Sequence, residues 1–143
     1  MKWVISRKLM DIWSKEKRSH VMSRIRSSDT KPEIVLRSAL HRLGYRFRVN
    51  KKDLPGKPDI VLMKYNTVIF VHGCFWHFHN ECREGRIPTS NTLFWSEKLS
   101  KNIDRDRRNQ TRLEELGWKV IVVWECEIEK AFKAVLARLT KHL

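Results

Sequence analysis

The chain has 143 residues, of which 41% are hydrophobic, so it is long enough for one domain with a real core. Thirty Lys and Arg against 16 Asp and Glu give a formal net charge of +14, which favours a polyanionic partner, nucleic acid first. The sequence has no apolar run near the roughly 20 residues of a membrane-spanning helix and no apolar signal segment, which argues against a membrane protein and favours a cytoplasmic one.

The N-terminal 28 residues form a basic segment that we predict to be an arm contacting DNA, followed by a single domain over residues 29–143. The segment is rich in Lys and Arg and contains neither Pro nor Gly. The domain opens with a predicted amphipathic helix, which has a capping box from Thr30 to Glu33, Pro32 in its first turn and Gly44 as its stop. Its apolar positions are Val35, Leu36, Ala39, Leu40 and Leu43.

Three strands are predicted next. In the stretch "YRFRV", aromatic or apolar residues alternate with arginines, as in a strand with one solvent-exposed face, and Pro55, Gly56 and Pro58 mark the turn after it. The apolar runs "DIVLM" and "TVIFVHG" are separated by the turn-like "KYN", which predicts a hairpin.

A long polar helix, a strand and a closing helix complete the predicted domain. The long helix runs from about Thr92 to Leu116 and ends at Gly117, and "WKVIVVWEC" is predicted to be a strand buried on both faces. The inward positions of the long helix are Leu99, Ile103, Leu113 and Leu116, and those of the closing helix over residues 128–142 are Ile128, Phe132, Val135, Leu136 and Leu139. This order predicts an α/β fold with a central mixed sheet flanked by helices.

A zinc site is the first chemistry that the sequence suggests. Cys74, His79 and Cys82 are closely spaced, and Cys126 directly follows the last strand, so three thiolates and one imidazole could form a tetrahedral structural site. Three cysteines cannot all pair within one chain, and a reducing compartment favours metal ligation over disulfides. The alternative is that these cysteines are small core residues.

A second group of candidate residues points to phosphodiester cleavage. Asp59 opens the first strand of the hairpin and His72 ends the second, so they could share one end of the sheet with His77. Cleavage needs a divalent cation held by oxygen ligands and a base that takes a proton from water, roles that Asp59 and His77 could fill. The alternative is that Asp59 is a turn residue and that each histidine is an ordinary polar group.

Aromatic residues flank these candidates. Phe75 and Trp76 lie beside the proposed zinc ligands, and Phe94 and Trp95 open the long helix. Large rings next to a phosphate-cutting site could wedge between base steps, whereas the alternative is a small core around the zinc loop. We predict core packing for Phe94 and contact with DNA for Trp76 and Trp95.

The residues from about Arg18 to Glu127 resemble the very short patch repair (Vsr) DNA mismatch endonucleases. The resemblance rests on five blocks in order, "DTKPE", "LPGKPDIVL", "VIFVHGCFWH", "FWSEKLSKNIDRDRRNQ" and "LEELGWKVIVVWEC". It implies a restriction-endonuclease-like fold and a monomeric enzyme that nicks DNA 5′ of the thymine in a G·T mismatch left by deamination of 5-methylcytosine. Mismatch-repair proteins are candidate partners.

The resemblance also implies roles for individual residues. Asp59 and the backbone carbonyl of Val71 become ligands of a catalytic Mg²⁺, His77 activates water, and His72 and Glu33 support the scissile phosphate. The Zn²⁺ ligands implied are Cys74, His79, Cys82 and Cys126. The residues implied or predicted to contact DNA are Met22, Phe75, Trp76, Trp95, Lys101, Arg105 and Arg108. Glu33 keeps the alternative role of capping-box partner.

Two other function classes fit part of this pattern. A zinc-stabilised DNA-binding module without catalysis explains the charge, the rings and the cysteines, but leaves Asp59 and His77 without a role. A nuclease of the same fold that cleaves another DNA substrate, in restriction or at branches, explains all the residues. Cleavage of matched, mismatched and branched DNA separates the three.

Overall fold

A computed structural model describes residues 29–75, 77, 79 and 89–143 and contains four helices and a four-stranded sheet within those residues. The helices are α1 (Lys31–Arg42), α2 (Thr92–Glu115), α3 (Glu125–Lys130) and α4 (Phe132–His142). The strands are β1 (Arg48–Val49), β2 (Ile60–Leu62), β3 (Thr67–His72) and β4 (Lys119–Trp124). The predicted basic arm at residues 1–28 lies outside the described residues.

The sheet has the strand order β1-β2-β3-β4 and is mixed, as predicted. β1 and β3 both run antiparallel to β2, whereas β4 runs parallel to β3. The predicted hairpin is therefore confirmed, and a 3-10 turn at Met63–Tyr65 followed by a left-handed Asn66 connects its strands. The parallel β4 requires the crossover through α2, which carries the chain from one end of the sheet back to the other.

Alternating side chains of the hairpin pack against opposite faces of the sheet. Ile60, Leu62 and Ile69 belong to a core cluster with residues of α1, α3 and α4. Val61 and Val68 belong to a second cluster with Leu113 of α2. The sheet thus has helices on both faces, the sandwich that the order of elements predicted.

Several predicted boundaries are wrong. The strand expected from "YRFRV" includes only Arg48 and Val49. The closing helix is two helices, because Ala131 has φ −143° and ψ 46° and interrupts the helical backbone. Leu116 is 64% exposed because α2 ends at Glu115 and the chain turns at Gly117, which has a φ of +94°.

Burial also differs from the prediction at two elements. In β4 only Val123 is fully buried, because β4 is the last strand of the sheet and within the described residues it pairs on one side only. In α1, Leu36, Ala39 and Leu40 are buried as predicted, but Leu43 is exposed at the C-cap, past the last full turn.

No helix within the described residues is both long enough and apolar enough to cross a membrane.

Candidate active site and metal centre

The hairpin brings Asp59 back to the end of β3, as the sequence predicted. The backbone N–H of Val71 donates a hydrogen bond of 2.6 Å to Oδ2 of Asp59, and the N–H of Asn50 donates one of 3.3 Å to the Asp59 carbonyl. The turn that precedes Asp59 rests on α2, since a Cβ added to Gly56 would lie 3.0 Å from the Cβ of Asn109. The position of Asp59 is therefore fixed by both the sheet and the long helix.

Glu33 joins Asp59 from the first turn of α1. Its side chain is buried and hydrogen-bonded to the Asp59 carboxyl group, while its Oε2 accepts bonds from the Asp29 N–H (3.0 Å) and from Nη2 of Arg37 (2.9 Å). The predicted capping box is wrong, because Thr30 is the N-cap but makes no capping hydrogen bond with its side chain. Glu33 instead accepts a hydrogen bond from the N–H of Asp29, one residue before Thr30, and its side chain faces the carboxylate of Asp59.

The electrostatics of this pair suit a divalent cation. Burial raises the pKa of Asp59 to about 7, with a further contribution from the adjacent Glu33, against the opposing effects of the Val71 N–H and of Arg37. Burial also raises the pKa of Glu33, against the opposing charge of Arg37. Two adjacent carboxylates, one buried and one partly buried, repel each other when both are ionised, and a hard cation with oxygen ligands relieves that repulsion. The donor set therefore fits a Mg²⁺ site.

His72 and His77 lie together, and a residue from α2 joins them. Their rings are stacked with centroids 3.8 Å apart and planes 4° apart. Nδ1 of His77 is hydrogen-bonded to Oδ2 of Asp106, which is half-buried on the inward face of α2. The described residues thus contain a histidine–carboxylate dyad beside the end of β3.

Burial determines the charge of His72, and a carboxylate lies beside His77. Burial lowers the pKa of His72 to about 3, helped by the neighbouring His77, so His72 is neutral at physiological pH. Burial works to raise the pKa of Asp106, but the hydrogen bond and charge of His77 outweigh it and lower that pKa. Asp106 is therefore an ionised carboxylate that can orient His77 and stabilise its protonated form.

The same three residues do not form a good metal site, although their donor atoms all lie within 4.8 Å of one another. The lone pairs of an imidazole lie in the ring plane. Because the planes of His72 and His77 are nearly parallel and stacked, their lone pairs cannot converge on one ion. A proton-transfer role suits this cluster better than metal binding.

A second cluster contains three of the four predicted zinc ligands. Cys74, His79 and Cys126 have donor atoms within 4.8 Å of one another, and Cys82 lies outside the described residues. Sγ of Cys126 is 3.4 Å from Nδ1 of His79. Tetrahedral zinc with ordinary Zn–S and Zn–N bonds places such ligand atoms about 3.5 Å apart. The three described residues therefore fit a zinc ion.

Two residues of the β4–α3 junction support this cluster. Trp124 stacks on His79 with ring centroids 4.1 Å apart, and its edge meets His72 at 5.2 Å. The buried carboxylate of Glu125 accepts a 3.2 Å hydrogen bond from the N–H of Cys74. Trp124 therefore connects the zinc cluster with the histidine stack.

The aromatic rings are arranged differently from the prediction. Phe75 and Trp95 are 2% and 5% exposed and pack edge to face with centroids 5.3 Å apart, so neither is presented to solvent. Phe94, which we predicted to be core, is 57% exposed, because it points away from the face of α2 that packs on the zinc loop. Trp76 and Met22 lie outside the described residues.

The cations predicted to bind DNA occupy one side of α2. Lys101, Arg105 and Arg108 are exposed, and their spacing of four and three residues places them on one helical face. Arg105 also lies 3.4 Å from Asp106, which brings positive charge to the edge of the dyad.

Sequence reasoning missed Asp106, Trp124 and Glu125. Asp106 had a usable signal, because it lies seven residues from both Leu99 and Leu113 and so falls on the buried face of a helix that is otherwise polar. Trp124 and Glu125 lie in a strand end and a helix start whose side-chain directions depend on the tertiary fold, and no spacing pointed to them.

Comparisons with known proteins agree with the resemblance found in the sequence. The family model described as DNA mismatch endonuclease Vsr matches residues 10–84. The chain is 55% identical over 121 residues to "Type II nicking enzyme V.NmeAIP" of Neisseria meningitidis, covering 85% of this chain and 86% of that protein. It is 45% identical over 135 residues to "DNA mismatch endonuclease Vsr" of Escherichia coli, covering 94% and 86%. A nicking enzyme of Xanthomonas oryzae, V.XorIIP, is 49% identical over 94% of this chain and 98% of its own length.

Proposed function

The chain belongs to the family of Vsr DNA mismatch endonucleases, and from that membership we propose that it nicks one strand of duplex DNA 5′ of the thymine in a G·T mismatch left by deamination of 5-methylcytosine. The observation that carries the proposal is the pairing of two chemistries at one end of the hairpin. The carboxylates of Asp59 and Glu33 adjoin the end of β3, and the His77–Asp106 dyad lies at the same strand end. A DNA-binding module without catalysis has no use for this pairing.

We assign Asp59, Glu33 and the backbone carbonyl of Val71 to a Mg²⁺ site, Glu33 either as a direct ligand or through water. A cation bound there neutralises charge that develops on the scissile phosphate. The N–H of Val71 holds Oδ2 of Asp59 and Glu33 contacts the same carboxyl group, so a cation would bind between the two acids together with the Val71 carbonyl. Asp59 must lose its proton for this, and its raised pKa makes binding pH-dependent.

His77 takes the proton from the attacking water or relays it. Asp106 holds Nδ1, so Nε2 remains to act as base, and the ionised carboxylate stabilises the imidazolium that forms. His72, which stays neutral, can give the phosphate a hydrogen bond but not a charge. Its ring also supports His77 by stacking.

DNA binding divides into a charged and an aromatic contribution. Lys101, Arg105 and Arg108 bind phosphates along one face of α2, and residues 1–28 supply a second basic surface. We assign insertion beside the mismatch from the major groove to Trp76, with Met22 approaching from the minor groove. Phe75 and Trp95 are buried against each other in the free protein, so they can enter the base stack only if this packing opens.

We further propose a restriction-endonuclease-like core, a structural Zn²⁺ on Cys74, His79, Cys82 and Cys126, and a monomer that acts in the bacterial cytoplasm, where chromosomal DNA and mismatch-repair proteins meet. The mixed sheet with the carboxylate-bearing hairpin supports the fold assignment. The distance between Cys126 and His79 supports the zinc assignment.

The test compares nicking of G·T, matched and branched duplexes of one sequence with Mg²⁺ at fixed salt concentration. We expect one nick, in the thymine strand of the G·T duplex only. Cleavage of matched or branched DNA at equal rates would indicate a nuclease with another task. Asp59→Ala should abolish nicking and leave binding of the G·T duplex largely intact, and a variant that still nicks would overturn the site assignment.

A further inference from the structure

Arg37 contacts Glu33, one member of the carboxylate pair, and it lies one helical turn after Glu33 on α1. Its Nη2 is 2.9 Å from Oε2 of Glu33, and its Nη1 is 2.7 Å from Oδ1 of Asp29. The side chain is only 15% exposed, and its Nε is buried without a hydrogen-bond partner among the described residues. A cation buried in this way costs free energy unless it is paired, so its ion pairs with Glu33 and Asp29 determine where Arg37 lies.

The contact orients Glu33. Its Oε2 is occupied by Arg37 and by the backbone N–H of Asp29, which fixes the side chain in the direction of Asp59. When both acids are ionised they repel each other, so without these bonds the Glu33 carboxylate would turn away from Asp59. The planar fork of arginine makes two directed bonds at once, which a lysine ammonium does not reproduce.

We propose that Arg37 is a positioning residue of the cation site, whose guanidinium holds Glu33 against Asp59 so that both acids are in place when a divalent cation binds. The inference rests on the proposed function for the location of that site. In this role Arg37 strengthens cation binding, whereas its positive charge alone would weaken it. A positive charge near a cation site weakens cation binding, so its removal should tighten binding if charge alone mattered.

The experiment measures binding of Mn²⁺, as a probe for Mg²⁺, to the full-length, zinc-loaded protein without DNA. Free Mn²⁺ is followed by electron paramagnetic resonance at pH 8 and fixed salt concentration. The variants are Arg37→Met, which loses charge and fork, and Arg37→Lys, which keeps the charge but not the fork. Arg42→Met is the matched control, since Arg42 is an exposed arginine of the same helix whose side chain binds the Ser38 carbonyl.

Positioning predicts that both Arg37 variants bind Mn²⁺ about 10- to 100-fold more weakly than wild type, the usual loss when a partner of a metal ligand is removed, while Arg42→Met is unchanged. Tighter binding by Arg37→Met, or wild-type affinity of Arg37→Lys, would overturn the inference. If Arg37→Met fails to fold by circular dichroism, Arg37→Lys decides.

Nicking of the G·T duplex by wild type, measured in parallel, separates the two proposals. A wild type that nicks but does not bind Mn²⁺ overturns the positioning role alone, and one that does neither overturns the proposed function as well.

Discussion

The raised pKa of Asp59 leads to a prediction about stability. In protein without Mg²⁺, the folded state holds a proton on Asp59 up to about pH 7, whereas the unfolded chain releases it near the ordinary aspartate pKa of 3.8. Between these values the folded state binds more protons, so stability is lost as pH rises through the window. Each pH unit there corresponds to about 1.36 kcal/mol, so between pH 5 and 7 the cost of Asp59 reaches about 3 kcal/mol. Glu33 shares the titration, which makes this figure an upper limit.

Asp59→Asn removes the titrating group and keeps the shape of the side chain. We therefore expect the variant to gain stability relative to wild type by up to about 3 kcal/mol as the pH is raised from 5 to 8. The assay is urea unfolding of zinc-loaded, Mg²⁺-free protein at several pH values. The difference in the free energy of unfolding between Asp59→Asn and wild type cancels the contributions of His72 and of the zinc ligands, which titrate in both proteins. Asp53→Asn is the control, because Asp53 is fully exposed and its pKa is lowered, so its difference from wild type should not change over this range. Parallel curves for Asp59→Asn and wild type would show that Asp59 is already ionised at pH 5 and would refute the effect assigned to burial.

Three further predictions concern nicking, zinc and mismatch preference. Asp106→Asn should slow single-turnover nicking by about 100-fold or more with little change in DNA affinity, because His77 loses the ionised group that orients it. An equal loss of nicking rate and DNA affinity would indicate a role in helix packing instead. Cys126→Ser should lose zinc by elemental analysis and unfold at lower urea concentration, and active wild type without zinc would contradict this. Trp76→Ala should reduce the ratio of G·T to matched-duplex affinity by about 5- to 150-fold, from stacking of about 1 to 3 kcal/mol, while Phe94→Ala serves as the exposed-ring comparison. If Phe94→Ala lowers the ratio and Trp76→Ala does not, the inserted ring has been misassigned.

Periodicity predicted the elements whose burial pattern is set locally. The hairpin, α1 and α2 were all found from apolar spacing and from turn residues, and the closeness of Asp59 to the end of β3 followed from the hairpin alone. The partial exposure of β4 was not predictable in this way, because it depends on which neighbours the sheet edge has, and no spacing indicated the break at Ala131.

The site was predictable in its candidate ligands and not in the residues that support them. Spacing suggested Cys74 and His79 as ligands and the place of Cys126 after the last strand suggested the third, and the structure brings all three close together. The expected burial of Phe94 and exposure of Trp95 were wrong for a physical reason. Phe94 and Trp95 are neighbours on one helix and differ only in which side of it they lie on, so their exposures were exchanged relative to the prediction.

The arrangement around β3 and His77 would connect the proposed zinc site with the proposed active site. Val71 binds Asp59 through its N–H, and the next residue, His72, stacks on His77, so consecutive positions of β3 serve the carboxylates and the dyad. His77 itself is outside any strand or helix, in a loop that begins at Cys74 and reaches His79. The N–H of His79 donates a 2.8 Å hydrogen bond to the carbonyl of Cys74, which closes this loop into a turn. Zinc ligation by both residues would fix the two ends of the turn that carries His77, so we expect loss of zinc to displace the proposed base even where the sheet remains folded.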